Sequence, residues 1–505
     1  MTVLIVGSGF AGLGAAIRLD RAGRPDFLVI ERGSEVGGTW RDNTYPGAAC
    51  DVPSNLYSFS FAPNPDWSQE YSPQAEIQEY LRRTAEASGT LDRHLFNCEM
   101  LSAQWDSEAN RWVVQTSSGL ITATVLVTAF GGLCEPRLPE IAGLDTFAGE
   151  LFHSARWNHD VDLTGKRVAV IGTGASAIQL VPEIAGLVSH LDVYQRTAPW
   201  IMPRRNRRHS AAYQLAIRHV PGFRRWRRGL TYGRLEVTSL AFCYAPRVLD
   251  LLSRRAAAHL HDQVADPQLR ARLTPGFHLG CKRILFSDNY YPALVRENVE
   301  LVMAPIVEIG ECGIRTADGT VRSVDVLVVA TGFHATDSPA AELITGADGR
   351  TLGERWRRSG QQAYKGTTVA GFPNLFSLVG PNTGTGNMSM IYMIESQFNY
   401  LLDALDVMDR HQLGTVEVHR ADQDRHNAHL QRRMAHTVFA TGCSSWYQDD
   451  RGRISAVWPG FAFAFRSATR RFDLDAYRSE ARPAQATGAS CAAGEGTPCP
   501  ASTTP

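Results

Sequence analysis

The chain has 505 residues, with 51 Lys and Arg against 51 Asp and Glu and a formal net charge of zero, so overall charge gives no attraction to nucleic acid or an acidic surface. With 44% hydrophobic and 20% charged residues it has an ordinary globular composition, long enough for about three domains, and no apolar run approaches the roughly 18 residues of a membrane span. Nine cysteines, odd in number and without a CxxC pair, predict a reducing compartment over a disulfide framework; with no leader-like segment at the start, a cytoplasmic location is expected.

The run Val3–Val6 reads as a short buried strand leading into Gly7-Ser-Gly9-Phe-Ala11-Gly12 and a helix through Leu19. Gly7 permits the tight turn, Gly9 lets backbone approach a pyrophosphate, Gly12 allows helix to pack on strand, and the helix N-terminus offers free N–H groups to the anion. A second strand, Phe27–Ile30, ends on Glu31, nineteen residues after Gly12, where a carboxylate can accept a ribose hydroxyl. This predicts a dinucleotide site. The segments Gly37-Gly38-Thr39-Trp40, Tyr45-Pro-Gly47-Ala-Ala-Cys50-Asp51 and Tyr57 follow. Their glycines permit close approach and their aromatic rings could cover a flat ligand; Asp51 taken alone reads as a loop cap.

Gln74 to Glu86 predicts an amphipathic helix, Trp105 and Trp112 lie in a predicted hairpin, and Val125–Ala129 is a strand returning to the first sheet, with Pro136 and Pro139 marking a linker. The stretch Phe147-Ala-Gly149-Glu-Leu-Phe-His153-Ser-Ala-Arg-Trp157 precedes a second unit. There the strand Arg167–Ile171 runs into Gly172-Thr173-Gly174-Ala175-Ser176-Ala177 and a helix, and a strand at Leu191–Tyr194 ends near Arg196, nineteen residues after Ala177. A guanidinium at the position Glu31 holds in the first unit suits a 2′-phosphate, and so NADPH. His153 by itself reads as a structural histidine.

Arg204, Arg205, Arg207, Arg208, Arg224, Arg225, Arg227 and Arg228, interleaved with Tyr213 and Trp226, leave two readings open: the solvated face of a helical insertion, or a surface for nucleic acid or anionic lipid. The first is the expectation, without nucleic acid and without stable membrane association. Cys281-Lys282-Arg283, the strand and turn Val326–Phe333, the loop Gly380–Met388, and Cys443-Ser-Ser-Trp446-Tyr447 complete the motifs. From about Glu480 the Ala-, Gly-, Pro-, Ser- and Thr-rich chain is expected to be disordered.

Taken together, GGTW, YPGAACD, the FxGxxxHxxxW stretch, the Lys282-Arg283 pair, ATGF and GPNT resemble the type I Baeyer–Villiger monooxygenases, class B flavoproteins of the flavin-containing monooxygenase superfamily, over residues 3 to 475. The resemblance implies an α/β fold of two Rossmann-like dinucleotide-binding domains with a helical insertion in the NADPH domain. FAD would be held by Gly7, Gly9, Ala11, Gly12, Glu31, Gly38, Thr39, Trp40, Asp51, Tyr57 and Met390, and NADPH by Gly172 to Ala177, Arg196, Thr197, Lys282, Arg283 and Trp446. Expected boundaries are 1–142 and 368–479 for the FAD domain, 143–205 and 281–367 for the NADPH domain, 206–280 for the insertion and 480–505 for the tail.

The implied reaction inserts one atom of O2 beside a ketone carbonyl through a C4a-peroxyflavin, giving an ester or lactone; N- or S-oxygenation is the alternative. Arg283 and Asp51 would form the active site, Arg283 stabilising anionic oxygen and Asp51 holding Arg283. Phe147, Gly149, His153 and Trp157 are read as coupling the domains without a chemical role, and no metal site is expected. Two departures stand out: Asn158 replaces the family's Pro or Asp after Trp157, and Gln448 to Gly452 replace the Gly- and Pro-containing run after Trp446.

Overall fold

The computed structural model describes residues 1–449 and 451–482. Two five-stranded parallel sheets organise the chain. In the first, Val3–Val6 lies between Phe27–Ile30 and Val125–Thr128, with His94–Leu95 and Leu375–Ser377 at the edges. In the second, Arg167–Ile171 lies between His190–Tyr194 and Val326–Val329, with Val299–Val302 and Glu150–His153 outermost. The central strands are continuous apolar runs because both faces are covered, one by helices and the other by an antiparallel sheet: Leu4 and Leu126 pack with Trp105 and Trp112, and Ala169 and Leu327 with Ile309 and Ile314. In both units a glycine N-cap opens the helix after the first strand, Phe10–Arg21 in one and Ala175–Ile184 in the other. Gly12 is required there, since a Cβ would lie 1.8 Å from the Gly7 carbonyl oxygen.

The expected hairpin is formed by Met100–Asp106 and Arg111–Thr116, with Trp105 opposite Trp112. Its sheet gains a strand from far along the chain: Ile344 and Thr345 pair in parallel with Ala103 and Gln104. Leu352 and Trp356 join the same core as Trp105 and Trp112. On these contacts we place the return of the chain to the first body ahead of residue 344, earlier than the 367 expected.

The insertion comprises the helices Ala211–His219, Phe223–Cys243, Leu249–Gln263 and Pro267–Arg272. It leaves and rejoins the body through a parallel pair, Ile201–Met202 with Leu285–Phe286. Tyr477–Ala481 pairs with Leu413–Val418, so Glu480 and Ala481 are ordered in a strand, contrary to the expectation for them; the tail from 483 onward lies outside the described residues. Among the described residues no helix is long and apolar enough to cross a membrane.

Candidate active site

Glu31, 5% exposed at the end of its strand, accepts hydrogen bonds from Ser8 N at 2.7 Å, Gly33 N at 2.8 Å and Arg41 Nη1 at 2.8 Å. A carboxylate has about four acceptor positions, so one stays available for a ribose hydroxyl. Gly9 meets Gly38 backbone to backbone, a Cβ on Gly38 falling 3.1 Å from Gly9 Cα. Ala11 and Gly12 lie in the first turn of the helix, where the N–H groups lack intrahelical partners. Thr39 and Trp40 begin a short helix capped by Gly38. Trp40 Nε1 donates to Tyr57 Oη at 3.1 Å with the rings edge to face. Met390 is drawn to the same place, because Ser389, which caps its helix, donates to the Leu56 carbonyl at 3.2 Å. Ahead of the Gly380–Met388 loop, Val379 holds φ at +63°, a costly conformation for a β-branched residue, fixed by Gln397 Oε1 accepting its N–H at 2.9 Å. This groove of close glycine backbone, a carboxylate with spare capacity and two facing aromatic rings fits FAD.

In the second unit Gly174 and Ala175 are exposed at the helix N-terminus, with nothing within 4 Å of a Cβ on Gly174. Ser176 and Ala177 complete the first turn, and Thr173 Oγ1 donates to the Thr197 carbonyl at 3.2 Å, joining the glycine loop to the segment after the next strand. Arg196 is exposed, and Lys282 sits near enough to feel its charge. Burial first, then Arg196, lowers the Lys282 pKa, and no carboxylate offsets them. Two cations close enough for one to lower the other's pKa, in the unit with an open helix N-terminus, fit the 2′-phosphate and pyrophosphate of NADPH.

Asp51 and Arg283 connect the two units. Arg283 Nη2 donates to both Asp51 oxygens at 2.7 Å, and Nε to Oδ2 at 3.0 Å. The charge of Asp51, working against burial, raises the Arg283 pKa, so the guanidinium stays protonated. The side chains keep 30% and 22% exposure, which leaves one flank of the pair open.

Tyr447, for which the sequence suggests no role, is 1% exposed, and its hydroxyl has no hydrogen-bond partner among the described residues. Burial pushes its pKa up to about 12, opposed by the charge of nearby Arg283. Beside it Trp446 is 44% exposed, its ring 4.5 Å from that of Tyr447.

One cysteine expectation is corrected. Cys281 and Cys443, 162 positions apart, form a disulfide with Cα atoms 6.2 Å apart. It fastens the Cys443–Tyr447 loop to the residue before Lys282. A pair so distant in sequence leaves no spacing signal. Cys50, Cys98, Cys134, Cys243 and Cys312 are free thiols.

The FxGxxxHxxxW stretch builds the edge of the second sheet. His153 pairs with Val329; its Nδ1 accepts from Ala155 N at 3.0 Å, which places the ring proton on Nε2. Gly149 is demanded by the Asp325 carbonyl, 2.5 Å from where a Cβ would lie. Phe147 packs against the buried cluster that holds Ala169 and Leu327, and Trp157 sets its ring against Phe152 at 4.9 Å. Further along, His159 bonds Thr44 of the first unit at 2.8 Å. Asn158 Oδ1 accepts from Asp160 N at 3.1 Å, a turn that Asp makes equally well, so the departure keeps the local geometry.

The loop 45–50 is held from two sides. Gln179, on the helix of the second unit, accepts from Tyr45 Oη at 3.0 Å and Ala49 N at 3.2 Å and donates to the Ala49 carbonyl at 3.0 Å. From the first unit, the Ser72 carbonyl accepts from Cys50 N at 3.0 Å, and Gln74 N donates to the Ala48 carbonyl at 2.8 Å.

Residues 4–218 match the family described as pyridine nucleotide-disulphide oxidoreductase. The chain is 49% identical over 488 residues to a Baeyer-Villiger monooxygenase of Streptomyces coelicolor, covering 96% of this chain and 93% of the relative. It is 47% identical over 484 residues to one of Pseudomonas aeruginosa, covering 95% and 92%. Among solved structures, OTEMO in complex with FAD and NADP superposes with a TM-score of 0.87 at 27% identity, over 95% of this chain and 99% of that one. An oxidized steroid monooxygenase bound to NADP gives 0.81 at 32% identity, over 93% and 96%. With identity of this order sustained across nearly the whole of both chains, the protein belongs to the Baeyer–Villiger monooxygenase family.

Proposed function

We propose that the protein is an FAD- and NADPH-dependent monooxygenase that inserts one oxygen atom from O2 beside the carbonyl of a small-molecule ketone, yielding an ester or lactone. The observation that carries this reading is the Asp51–Arg283 pair, fixed between the FAD-like groove and the NADPH-like cleft. When bound, NADPH supplies two electrons and FAD uses them to turn O2 into an oxygen nucleophile.

The residues of the chain supply the setting. Arg283 presents a permanent positive charge where negative charge gathers on the attacked carbonyl oxygen, a preorganised electrostatic contribution. Asp51 grips the guanidinium at two points and fixes its plane. Trp40 and Tyr57 wall the ring site, while Lys282 and Arg196 hold the 2′-phosphate. A cytoplasmic setting rests on the five free thiols among the described residues, against the one Cys281–Cys443 disulfide.

The test is turnover with NADPH and 18O2 on cyclic, aryl and linear ketones and a thioether, with the label located by mass spectrometry. Label in the ring or ester oxygen of a ketone product is the expected result. Label confined to sulfoxide would replace this reading with heteroatom oxygenation.

A further inference from the structure

The chain is neutral overall, yet residues 201–263 carry thirteen arginines against Glu236, Asp250 and Asp262, a net of +10. Solvated arginines account for that charge but leave what lies between them unexplained. Along the helix Phe223–Cys243 and the residue after it, Trp226, Leu230, Val237, Leu240 and Tyr244 recur at i, i+4, i+11, i+14 and i+18. At about 100° per residue these positions form one stripe. The stripe faces outward, with exposures of 58%, 49%, 68%, 48% and 50%.

Arg225 borders it on one side and Arg234 on the other, both exposed. The single carboxylate of this helix, Glu236, is turned inward and accepts from the Ala462 and Phe463 amides. No negative charge therefore interrupts the outer face of the helix.

The opposite face is already engaged. Arg228 donates to the Asn55 and Ser58 carbonyls at 2.8 and 3.0 Å, and Asn387 donates to the Leu235 carbonyl at 2.9 Å. The helix is thus fixed to the body, and among the described residues its apolar face has no core to turn toward. The patch also continues beyond the helix. Tyr244 stacks on Phe461 at 5.0 Å and Phe461 on Phe463 at 5.2 Å, with Phe463 54% exposed. Leu251, 65% exposed, stands near the exposed pair Arg254 and Arg255 in sequence.

We propose that this face docks reversibly on a membrane surface carrying anionic lipids. The apolar and aromatic stripe would enter the boundary between headgroups and acyl chains, and the bordering arginines would meet lipid phosphates. Charge complementarity selects this occupant. A second copy paired through a twofold axis would bring the same arginine rims together, and a nucleic acid offers phosphates to the rims but nothing apolar to the stripe between them.

The test is co-sedimentation of the full FAD-loaded chain with phosphatidylcholine vesicles, with and without phosphatidylglycerol, at low and high salt. Binding to the anionic vesicles is expected, with its loss on pure phosphatidylcholine and in high salt. The exposed pair Trp226→Ser with Val237→Ser should weaken binding by about tenfold or more, as should Arg225→Glu with Arg234→Glu, while thermal midpoint and FAD content stay unchanged. No sedimentation above the vesicle-free control, or binding indifferent to both double variants, overturns the proposal. So does a doubled mass by light scattering that the serine variants abolish, since the face would then join two copies. A salt-dependent DNA gel shift lost only in the glutamate variants, without vesicle binding, would make it a nucleic-acid surface.

Discussion

Asp51 and Arg283, 232 positions apart, form a two-armed ion pair that closes the space between the two nucleotide units. Removing either partner tests a different property. Arg283→Ala is expected to retain FAD while ester formation falls by about a hundredfold or more, the scale of losing a preorganised charge stabiliser. Arg283→Lys should recover little, because an ammonium cannot reproduce the two-point geometry. Asp51→Asn should retain FAD and lower turnover less than Arg283→Ala, since the guanidinium remains but is no longer clamped. Flavin content by absorbance and product by gas chromatography check these; undiminished lactone yield from Arg283→Ala would remove it from the chemistry.

Burial and then the charge of Arg196 lower the Lys282 pKa. Arg196→Ala is expected to raise the KM for NADPH by about tenfold or more, the worth of a charge-assisted hydrogen bond of ~1.5–3 kcal/mol, and to leave NADH kinetics nearly unchanged. Stopped-flow flavin reduction with both nucleotides measures the difference. Equal rates with NADH in the unaltered protein would refute the assignment.

Burial lowers the His153 pKa to about 4, against an ordinary value of 6.5, and His426 is lowered to the same level. Between those values the unfolded chain binds protons that the folded protein refuses. Stability is therefore level above about pH 6.5 and falls as pH drops toward 4. His153→Gln should shrink the fall in thermal midpoint between pH 7.5 and pH 5 without abolishing it, because His426 remains. Scanning calorimetry at the two pH values decides; an unchanged fall in the variant would exclude His153 as a contributor.

Cys281–Cys443 ties the loop carrying Trp446 and Tyr447 to the segment carrying Lys282 and Arg283. Cys443→Ser is expected to lower stability by about 2–4 kcal/mol, the usual effect of a native disulfide, and to raise the KM for NADPH while FAD content holds. Thiol titration of the denatured protein should gain two groups on reduction. A count unchanged by reductant would mean that the bond does not form in solution.

The hydroxyl of Tyr447 is buried beside Arg283 without a partner among the described residues. Tyr447→Phe should raise stability by about 1 kcal/mol by removing an unsatisfied polar group. A hydroxyl that serves a bound ligand would lower turnover on its removal, and steady-state kinetics on the same variant reads that directly.

Local patterns made much of this fold legible. The two strand, glycine loop and helix units rest on continuous apolar runs and glycines a few residues apart, and the helix Gln74–Ser88 and the Trp105–Trp112 hairpin follow from spacing alone. What escaped reading depends on contacts between distant segments. Ile344 joins the sheet of Ala103, and Cys281 finds Cys443. Asp51 and Arg283 are adjacent only in space, and family resemblance, not spacing, pointed to them. The apolar stripe could be read as periodic, but its outward orientation depends on what Arg228 and Asn387 hold from the other side.

The loop 45–50 behaves as a clasp with two unlike sides. Its bonds to Ser72 and Gln74 run backbone to backbone, whereas its bonds to the second unit pass through two side chains, the amide of Gln179 and the guanidinium of Arg204, whose Nη2 donates to the Cys50 carbonyl at 2.9 Å. A rotation that parted the units would release the side held through these two side chains first. Gln179 and Arg204 together latch the clasp to the second unit, directly beside Asp51, whose own partner Arg283 lies across the same divide.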